Sequence, residues 1–325
     1  MVEYLGKPLW IWLSFFSLIL TLLAFDLGVL SKKRSNPELS VRQSLGLSAF
    51  YIAIALLYGV FIWFSVGSDS AIKYYTGFAI EKSLSLDNIF VISLIFAYFG
   101  IPRALQHRVL FWGILGVIVL RAIMIGFGTA IVSQFEWILY FFAAFLIFTG
   151  IKMLVAKESE EAGNFANNPI LKWTRRRLRV TDEMHGNAFF VKLQDSSGKT
   201  LRYATPLFLA LILVETADLI FAVDSIPAIF AITTDPFIVY TSNIFAILGL
   251  RALYFALSAL LHRFVYLKYA LSLVLVFIGA KIFYNHFFEK LNPAISLGIT
   301  LGLLAGGILL SLWKTRPSGT QNQSG

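Results

Sequence analysis

Long apolar stretches separated by short polar segments make up most of the chain. About 20 consecutive apolar residues cross the hydrocarbon core of a bilayer as a helix, and the pattern predicts nine such helices. They cover residues 8–30, 44–66, 72–99, 108–130, 135–155, 204–232, 237–261, 266–288 and 293–313. The fold class expected from this pattern is an all-α, multi-pass membrane protein.

The basic residues lie almost entirely on one side of these predicted helices. Of the 27 Lys and Arg, 20 fall in or beside alternate connections and the C-terminal tail, and four fall on the opposite side. The positive-inside rule then places the N-terminus outside and the C-terminus in the cytoplasm. Since topology accounts for most of the net charge of +9, we expect no nucleic-acid partner.

Composition agrees with a membrane protein and excludes other classes. Hydrophobic residues make up 58% of the chain and charged residues 14%, against about 25% charged residues in soluble domains. A soluble enzyme is therefore excluded. The chain has no cysteine, which excludes a disulfide scaffold.

Two segments of the chain resemble each other. Residues 120–122 (LRA) match 250–252, and residues 148–152 (FTGIK) match 277–281 (FIGAK). One copy spans three helices plus a loop, so the second copy is inverted in the membrane, as in many transporters. The predicted units are two N-terminal helices (1–71), repeat A (72–155), a cytoplasmic loop (156–203), repeat B (204–288), and the last helix with its tail (289–325).

The long loop has its own pattern. The segment around Trp173 and the run Arg175-Arg176-Arg177 predicts a short helix on the inner membrane surface, serving either orientation or a specific partner. Residues 189–193 and 200–204 predict a small hairpin.

Apart from Glu136 at the first turn of its predicted helix, six acidic residues fall inside predicted membrane helices. A charged side chain at the bilayer centre costs about 2.5–3.5 kcal/mol, so these acids need partners. Arg121 and Arg251 can neutralise two, and Lys82 a third. Protons or a bound cation must balance the remainder. The six acids are Asp26, Glu81, Asp87, Glu215, Asp218 and Asp224.

Helical spacing groups some of these residues on common faces. Glu81, Ser85 and Asn88 share one face, as do Asp218 and Ser225. Pro227 removes a backbone hydrogen bond, which predicts a broken helix with a free carbonyl near it. The resulting oxygen-rich set suits a hard divalent cation such as Mg²⁺, Ca²⁺ or Mn²⁺. The predicted metal ligands are Glu81, Asp87, Asn88, Glu215, Asp218, Asp224 and Ser225.

Each assignment has a structural alternative. The acids can serve as salt-bridge partners of the two arginines, and Asn88 and Ser225 as ordinary interhelical hydrogen-bonding groups. Arg121 and Arg251 are either structural counter-ions or a gate that releases the acids when metal binds. Asp26 is either a solvated helix end or part of an ion path.

Three glycines form a stripe of small residues on the last predicted helix. Gly298, Gly302 and Gly306 recur every four residues and predict close helix packing. The packing partner is another helix of the chain or the same helix in a homodimer.

The two acidic segments resemble the TerC family of bacterial integral membrane proteins, and within it the Alx-like branch. They are residues 79–91 (AIEKSLSLDNIFV) and 215–228 (ETADLIFAVDSIPA), and the resemblance extends over about 10–315. The family's acidic positions correspond to Glu81, Asp87, Asp218 and Asp224, with Asn88 and Ser225 beside them. The resemblance implies Mn²⁺ efflux, a link to tellurite resistance and, in some members, metal supply to secreted proteins.

These observations favour a secondary transporter rather than an enzyme. It is expected to export Mn²⁺ across the cytoplasmic (inner) membrane through an acidic midplane site, driven by protons and without a resident cofactor. The choice of Mn²⁺ rests on the resemblance. Expected partners are the lipid bilayer, the divalent ion, protons, and a second copy or the secretion machinery. The alternatives are an intramembrane metal-dependent enzyme and a structural member of a secretion or resistance complex.

Overall fold

A computed structural model shows how the chain folds. It describes residues 3–4, 6–31, 41–135, 137–155, 168–194, 199–257, 266–288 and 291–314. Within these ranges the side chains of 3, 4, 27–31, 86, 87, 133, 224 and 267 lie outside the description. Two of the predicted metal ligands, Asp87 and Asp224, are among them.

The described chain forms eleven helices and two small hairpins. The helices are α1 (Leu9–Ser31), α2 (Val41–Ser65), α3 (Ser68–Tyr98), α4 (Arg103–Gln134), α5 (Ile138–Val155), α6 (Pro169–Arg177), α7 (Pro206–Phe230), α8 (Pro236–Ile247), α9 (Leu250–Leu257), α10 (Leu267–Phe287) and α11 (Pro293–Lys314). The antiparallel hairpins are β1 (Glu3–Tyr4) with β2 (Lys7–Pro8), and β3 (Phe190–Gln194) with β4 (Thr200–Ala204). The chain is therefore an all-α multi-pass membrane protein.

Eight segments of the described chain are long and apolar enough to cross a membrane, and they correspond to eight of the nine predicted helices. The ninth prediction, 72–99, forms α3, which has 31 residues. At 1.5 Å per residue α3 is long enough to span, but its charged side chains make it less apolar than the others. The exact number of crossings and their orientation stay predictions.

The helices differ in how much of their surface they bury. Outer helices expose large apolar side chains, such as Phe64 on α2 and Phe127 on α4, as expected for a lipid-facing surface. Most positions of the segment Pro236–Leu257 are buried, including every described position from Phe237 to Ile247 except Tyr240. The α8–α9 segment is therefore the centre of the bundle.

Helices α5 and α10 pack against each other at two matching points. A Cβ on Gly150 would lie 2.8 Å from the carbonyl oxygen of Ser272, and a Cβ on Gly279 would lie 2.6 Å from that of Ala143. The two glycines occupy corresponding places in the sequence repeat, as do Ala143 and Ser272. This reciprocal contact is the geometry expected of a pseudo-two-fold axis between antiparallel helices. The inversion of the repeats across a membrane stays a prediction.

The helix break lies at a different place from the one predicted. Helix α7 runs unbroken through Pro227 to Phe230, so the prediction of a break there was wrong. The neighbouring turn of α7 holds despite the missing N–H. The chain breaks instead between α8 and α9, where Gly249 adopts a φ of 77°. A Cβ at this position would lie 2.8 Å from Cβ of Tyr51, so both the backbone and the packing favour glycine.

The predicted elements of the long loop are confirmed as a helix and a hairpin. Helix α6 begins after Asn168, whose Oδ1 accepts hydrogen bonds from the amides of Ile170 (2.9 Å) and Leu171 (3.3 Å). Leu171 is buried, whereas Trp173 is 61% exposed. The side chain of Trp173 is therefore free to meet a membrane surface.

The glycine stripe of α11 packs against no other described helix. No described atom of another helix lies within 4 Å of the Cβ position of Gly298, Gly302 or Gly306, so the prediction that they pack within the chain was wrong for the part that the structure describes. Gly307 makes the close contact instead, with Ala270 of α10. A homodimer seam along the stripe stays a prediction.

Candidate metal-ion site

Arg121 lies at the centre of the polar cluster in the membrane region. It projects from the middle of α4 and is 1% exposed. Its Nη1 donates hydrogen bonds to a carboxylate oxygen of Glu81, to Oδ1 of Asn243, and to Oγ of Ser225 at 3.2 Å. One nitrogen therefore faces three oxygen atoms from three different helices, α3, α7 and α8.

Asp218 of α7 closes the other side of the same guanidinium. Its Oδ1 lies 3.3 Å from Nη2 of Arg121, and its Oδ2 lies 3.5 Å from Nε. The side-chain amide of Asn88 also donates to Oδ1 of Asp218, at 3.2 Å. We call Glu81, Asn88, Arg121, Asp218, Ser225 and Asn243 the Arg121 cluster.

Two oxygen atoms of the Arg121 cluster remain without a hydrogen bond among the described residues. They are Oε2 of Glu81 and Oδ1 of Asn88, and their residues are 1% and 6% exposed. A buried polar atom without a partner costs free energy. Oxygen atoms of this kind are the ligands that a hard divalent cation uses. The cluster therefore has unused coordinating capacity.

The helical faces deduced from the sequence explain how the cluster assembles. Glu81 and Asn88 are seven residues apart on α3, as are Asp218 and Ser225 on α7, so each pair lies on one face. Ser85 shares the first face, but its hydroxyl donates to the backbone carbonyl of Glu81 at 2.8 Å. Its bond is internal to the helix rather than to the cluster.

Asn243 was missed by the sequence analysis. It is fully buried in α8, and its side-chain amide also donates to the carbonyl of Val239 at 3.2 Å. The available signal was a polar side chain in the middle of an otherwise apolar segment, two turns before Arg251.

Glu215 makes no hydrogen bond to the Arg121 cluster among the described residues. Its carboxylate packs on α4, where a Cβ on Gly116 would lie 2.1 Å from Oε1 of Glu215. Gly116 thus makes room for this carboxylate. Its Oε2 is buried and has no hydrogen bond among the described residues. Glu215 therefore lies one helical turn from Asp218 on α7 without joining the hydrogen bonds of the cluster.

Arg251 and Asp26 pair with each other. The guanidinium of Arg251 forms an ion pair with the carboxylate of Asp26 on α1 and donates to its backbone carbonyl at 3.2 Å. It also lies 6.0 Å from the centroid of the Phe111 ring. Arg251 is thus the counter-ion of Asp26 on α1. Asp26 is a partner of a buried arginine rather than a solvated helix end.

Lys82 binds carbonyl oxygens. Its Nζ lies 3.0 Å from the oxygen of Ala246 and 3.5 Å from that of Leu248, at the break between α8 and α9. The prediction that Lys82 neutralises a third acid receives no support from these contacts.

Two cavities lie in the bundle, and one of them borders the Arg121 cluster. One, of about 350 Å³, is bordered by Glu81, Asn88, Arg121 and Ser225 and extends to Lys152 and Lys268. These lysines lie at the end that the charge distribution assigns to the cytoplasm. The other, of about 690 Å³, is bordered by Asp69, Lys73, Tyr140, Lys281 and His286. The repeat-related Lys152 and Lys281 thus border different cavities.

Within the described residues there is no group of three or more His, Asp and Glu side chains that would hold a metal ion. Glu81 and Asp218 are brought together, but with Arg121 between them. Asp87 and Asp224 immediately precede the cluster members Asn88 and Ser225 in sequence, and their side chains lie outside the described residues.

Comparison with known proteins gives a consistent family. Residues 66–319 match the model of the family described as "Integral membrane protein TerC family". A protein of Rickettsia bellii, named "Uncharacterized membrane protein", is 50% identical over 301 residues, which cover 93% of this chain and 96% of that protein. No solved structure matches the chain.

Two further relatives carry a more specific name. Proteins of Salmonella typhi and Escherichia coli (strain K12), each named "Putative membrane-bound redox modulator Alx", are 47% and 46% identical over 316 residues. In both cases the match covers 95% of this chain and 95% of the relative. The chain belongs to the TerC family of integral membrane proteins.

Proposed function

We propose that the chain is a secondary transporter that exports a divalent cation, Mn²⁺, from the cytoplasm by exchanging it for Arg121. The observation that supports this most directly is the position of Nη1 of Arg121, where oxygen atoms from α3, α7 and α8 converge. A cation placed at this position would be coordinated by these oxygen atoms. The unpartnered oxygens of Glu81 and Asn88 add to the coordination that a divalent ion requires.

Charge balance favours the exchange. Two ionised carboxylates, Glu81 and Asp218, surround one guanidinium, which leaves a charge of −1 in a region of low dielectric. A divalent ion balances the two carboxylates fully. Asp87 and Asp224 are the further ligands that the resemblance implies. Protons on these acids are the other way to balance the charge, which gives a mechanism for coupling to protons.

Arg121 has space into which it can move. The cavity of about 350 Å³ borders its side chain and extends toward the predicted cytoplasmic end. A guanidinium displaced into this cavity leaves the oxygen atoms behind, and its return expels the ion. In this scheme Arg121 is a gate as well as a counter-ion.

The name of the relatives is compatible with metal export. This chain has no cysteine, so it contains no thiol couple of its own. A transporter that sets the level of a transition metal would affect redox balance through its cargo. Supply of the same metal to secreted proteins follows if the ion leaves on the outer face of the inner membrane.

Ion flux into reconstituted vesicles tests the proposal. We expect the wild-type protein to move Mn²⁺ with a rate that depends on the proton gradient, in comparison with Ca²⁺, Mg²⁺ and Zn²⁺. Asp218→Asn should abolish flux because it removes a ligand charge. Asp182→Asn is the matched control, since Asp182 is an exposed acid paired with Arg175, and it should transport normally.

Two results would reject the proposed function. One is equal Mn²⁺ flux in the wild type and in Asp218→Asn, which would show that the Arg121 cluster does not lie on the ion path. The other is no flux of any ion by the folded wild type. Hydrolysis of a lipid or phosphate substrate without flux would favour the intramembrane enzyme instead.

A further inference from the structure

The break between α8 and α9 places backbone carbonyl groups at a helix end inside the bundle. Helix α8 ends at Ile247, and α9 begins at Leu250 after the left-handed turn at Gly249. The last carbonyl groups of a helix have no partner within the helix, and the aligned peptide dipoles place a partial negative charge there. At this site the carbonyls are enclosed by the protein rather than solvated.

Lys82 places its ammonium group at this helix end. The distances from Nζ to the oxygens of Ala246 and Leu248 are 3.0 and 3.5 Å. Lys82 and Glu81 are neighbours in sequence, but Glu81 binds Arg121 whereas Lys82 binds the end of α8. Helix α3 therefore contacts the end of α8 directly through Lys82, and Glu81 is connected to α8 through Arg121, which donates to Oδ1 of Asn243.

We propose that the α8–α9 break is a binding site for a monovalent cation of the ammonium type, occupied in this chain by the tethered ammonium of Lys82. Carbonyls of unwound or interrupted helices coordinate monovalent ions in transporter folds, and here a covalently attached cation fills that role. The site is independent of whether the Arg121 cluster transports a metal.

The site has a structural consequence on both sides of the break. Asn243 lies one turn before Ala246, and Arg251 lies two residues after Gly249. Fixing the end of α8 therefore fixes both the oxygen that Asn243 offers to Arg121 and the guanidinium that pairs with Asp26. Lys82 is a positioning residue that acts on both arginines through the backbone of α8 and α9.

Thermal unfolding of the purified full-length protein tests the site by chemical rescue. Lys82→Ala keeps Cβ and removes three methylenes and the ammonium, which correspond to n-propylammonium. We expect a lower Tm for Lys82→Ala and a rise in Tm as n-propylammonium is added, with the concentration dependence of ligand binding. Methylammonium should restore less of the Tm. The uncharged alcohol of the same chain length, n-propanol, should restore none.

Lys73→Ala is the matched control. Lys73 lies on the same helix, α3, and forms an ion pair at the surface with Asp69. Its Tm should stay near that of the wild type, and n-propylammonium should not change it. An equal response of Lys73→Ala and Lys82→Ala to the amine would show a general solvent effect and would overturn the proposal.

Further variants keep the proposal testable if Lys82→Ala does not fold. Lys82→Arg keeps the positive charge, whereas Lys82→Met keeps the apolar stem without it. A folded Lys82→Arg together with an unfolded or strongly destabilised Lys82→Met supports a cation site. A wild-type Tm for Lys82→Met would overturn it, because apolar packing alone would then hold the break.

Discussion

Two arginines at corresponding places in the sequence repeat have different surroundings. Arg121 binds two acids of α3 and α7 together with two neutral oxygen groups, whereas Arg251 binds one acid of α1. The acids that meet at Arg121 also occupy matching sequence positions, since Glu81 and Asp218 each precede a second acid, Asp87 or Asp224, by six residues. The comparison shows that matching sequence positions can have different partners, because α1, which lies outside the sequence repeat, supplies the acid that pairs with Arg251.

The largest difference between the two arginines should appear on removing each side chain. Arg121→Ala leaves Glu81 and Asp218 buried without a counter-ion, which should lower the free energy of unfolding by about 3–5 kcal/mol. Thermal unfolding in detergent measures the loss. Arg121→Lys should recover part of it, because one ammonium replaces the charge but not the full set of hydrogen bonds. A wild-type Tm for Arg121→Ala would contradict the presence of the Arg121 cluster in the folded protein.

Arg251→Ala should have a smaller effect on stability and a different effect on function. Asp26 is its one described acidic partner, with a side chain 15% exposed, so we expect a loss of about 1.5–3 kcal/mol. Combining Arg251→Ala with Asp26→Asn should cost less than the sum of the two changes, as measured by a double-mutant cycle. The selectivity of ion flux should stay that of the wild type. A change in selectivity would place Arg251 in the ion path.

The two repeats should respond alike where their contacts are alike. Gly150→Ala and Gly279→Ala each force a Cβ toward a backbone carbonyl of the facing helix, which should cost about 1–3 kcal/mol. Similar losses of Tm would support the reciprocal packing of α5 and α10. Gly298→Ala is the control, since no described atom lies near its Cβ position. A large loss from this control would indicate a packing partner such as a second copy.

Ser225→Ala should have the smallest effect and should refine the account of Arg121. The hydroxyl accepts one hydrogen bond from Nη1 at 3.2 Å, while two other oxygens remain for the same nitrogen. We expect a loss of about 0.5–1.5 kcal/mol and a clear reduction in the apparent affinity for Mn²⁺ in flux assays. An unchanged affinity would assign Ser225 to packing alone.

Helical periodicity was enough to predict which side chains share a face. The seven-residue spacings Glu81–Asn88 and Asp218–Ser225 correctly anticipated two halves of one cluster, because each pair lies on a continuous helix. The periodicity could not show that Arg121 would lie between the halves, since this depends on the packing of α4 against α3 and α7.

The helix break was predicted at the wrong residue for a physical reason. Pro227 lacks an N–H, but one missing hydrogen bond is tolerated in a helix supported by its neighbours. Gly249 lies in an apolar run, where sequence alone does not distinguish a packing glycine from one with positive φ. Likewise, the pairing of Arg251 with Asp26 depends on how α1 docks, which no local pattern specifies.

Under the proposed transport function, the cavity that borders Arg121 would shorten the distance over which the membrane potential acts. Where water fills this cavity, more of the voltage falls across the layer that contains the Arg121 cluster. Moving one elementary charge through it is worth about 2.3 kcal/mol per 100 mV, so a divalent ion leaving an inside-negative cell works against twice that amount. Two protons entering for each ion would cancel this electrical work, and Glu81 and Asp218 provide two carboxylates to carry them.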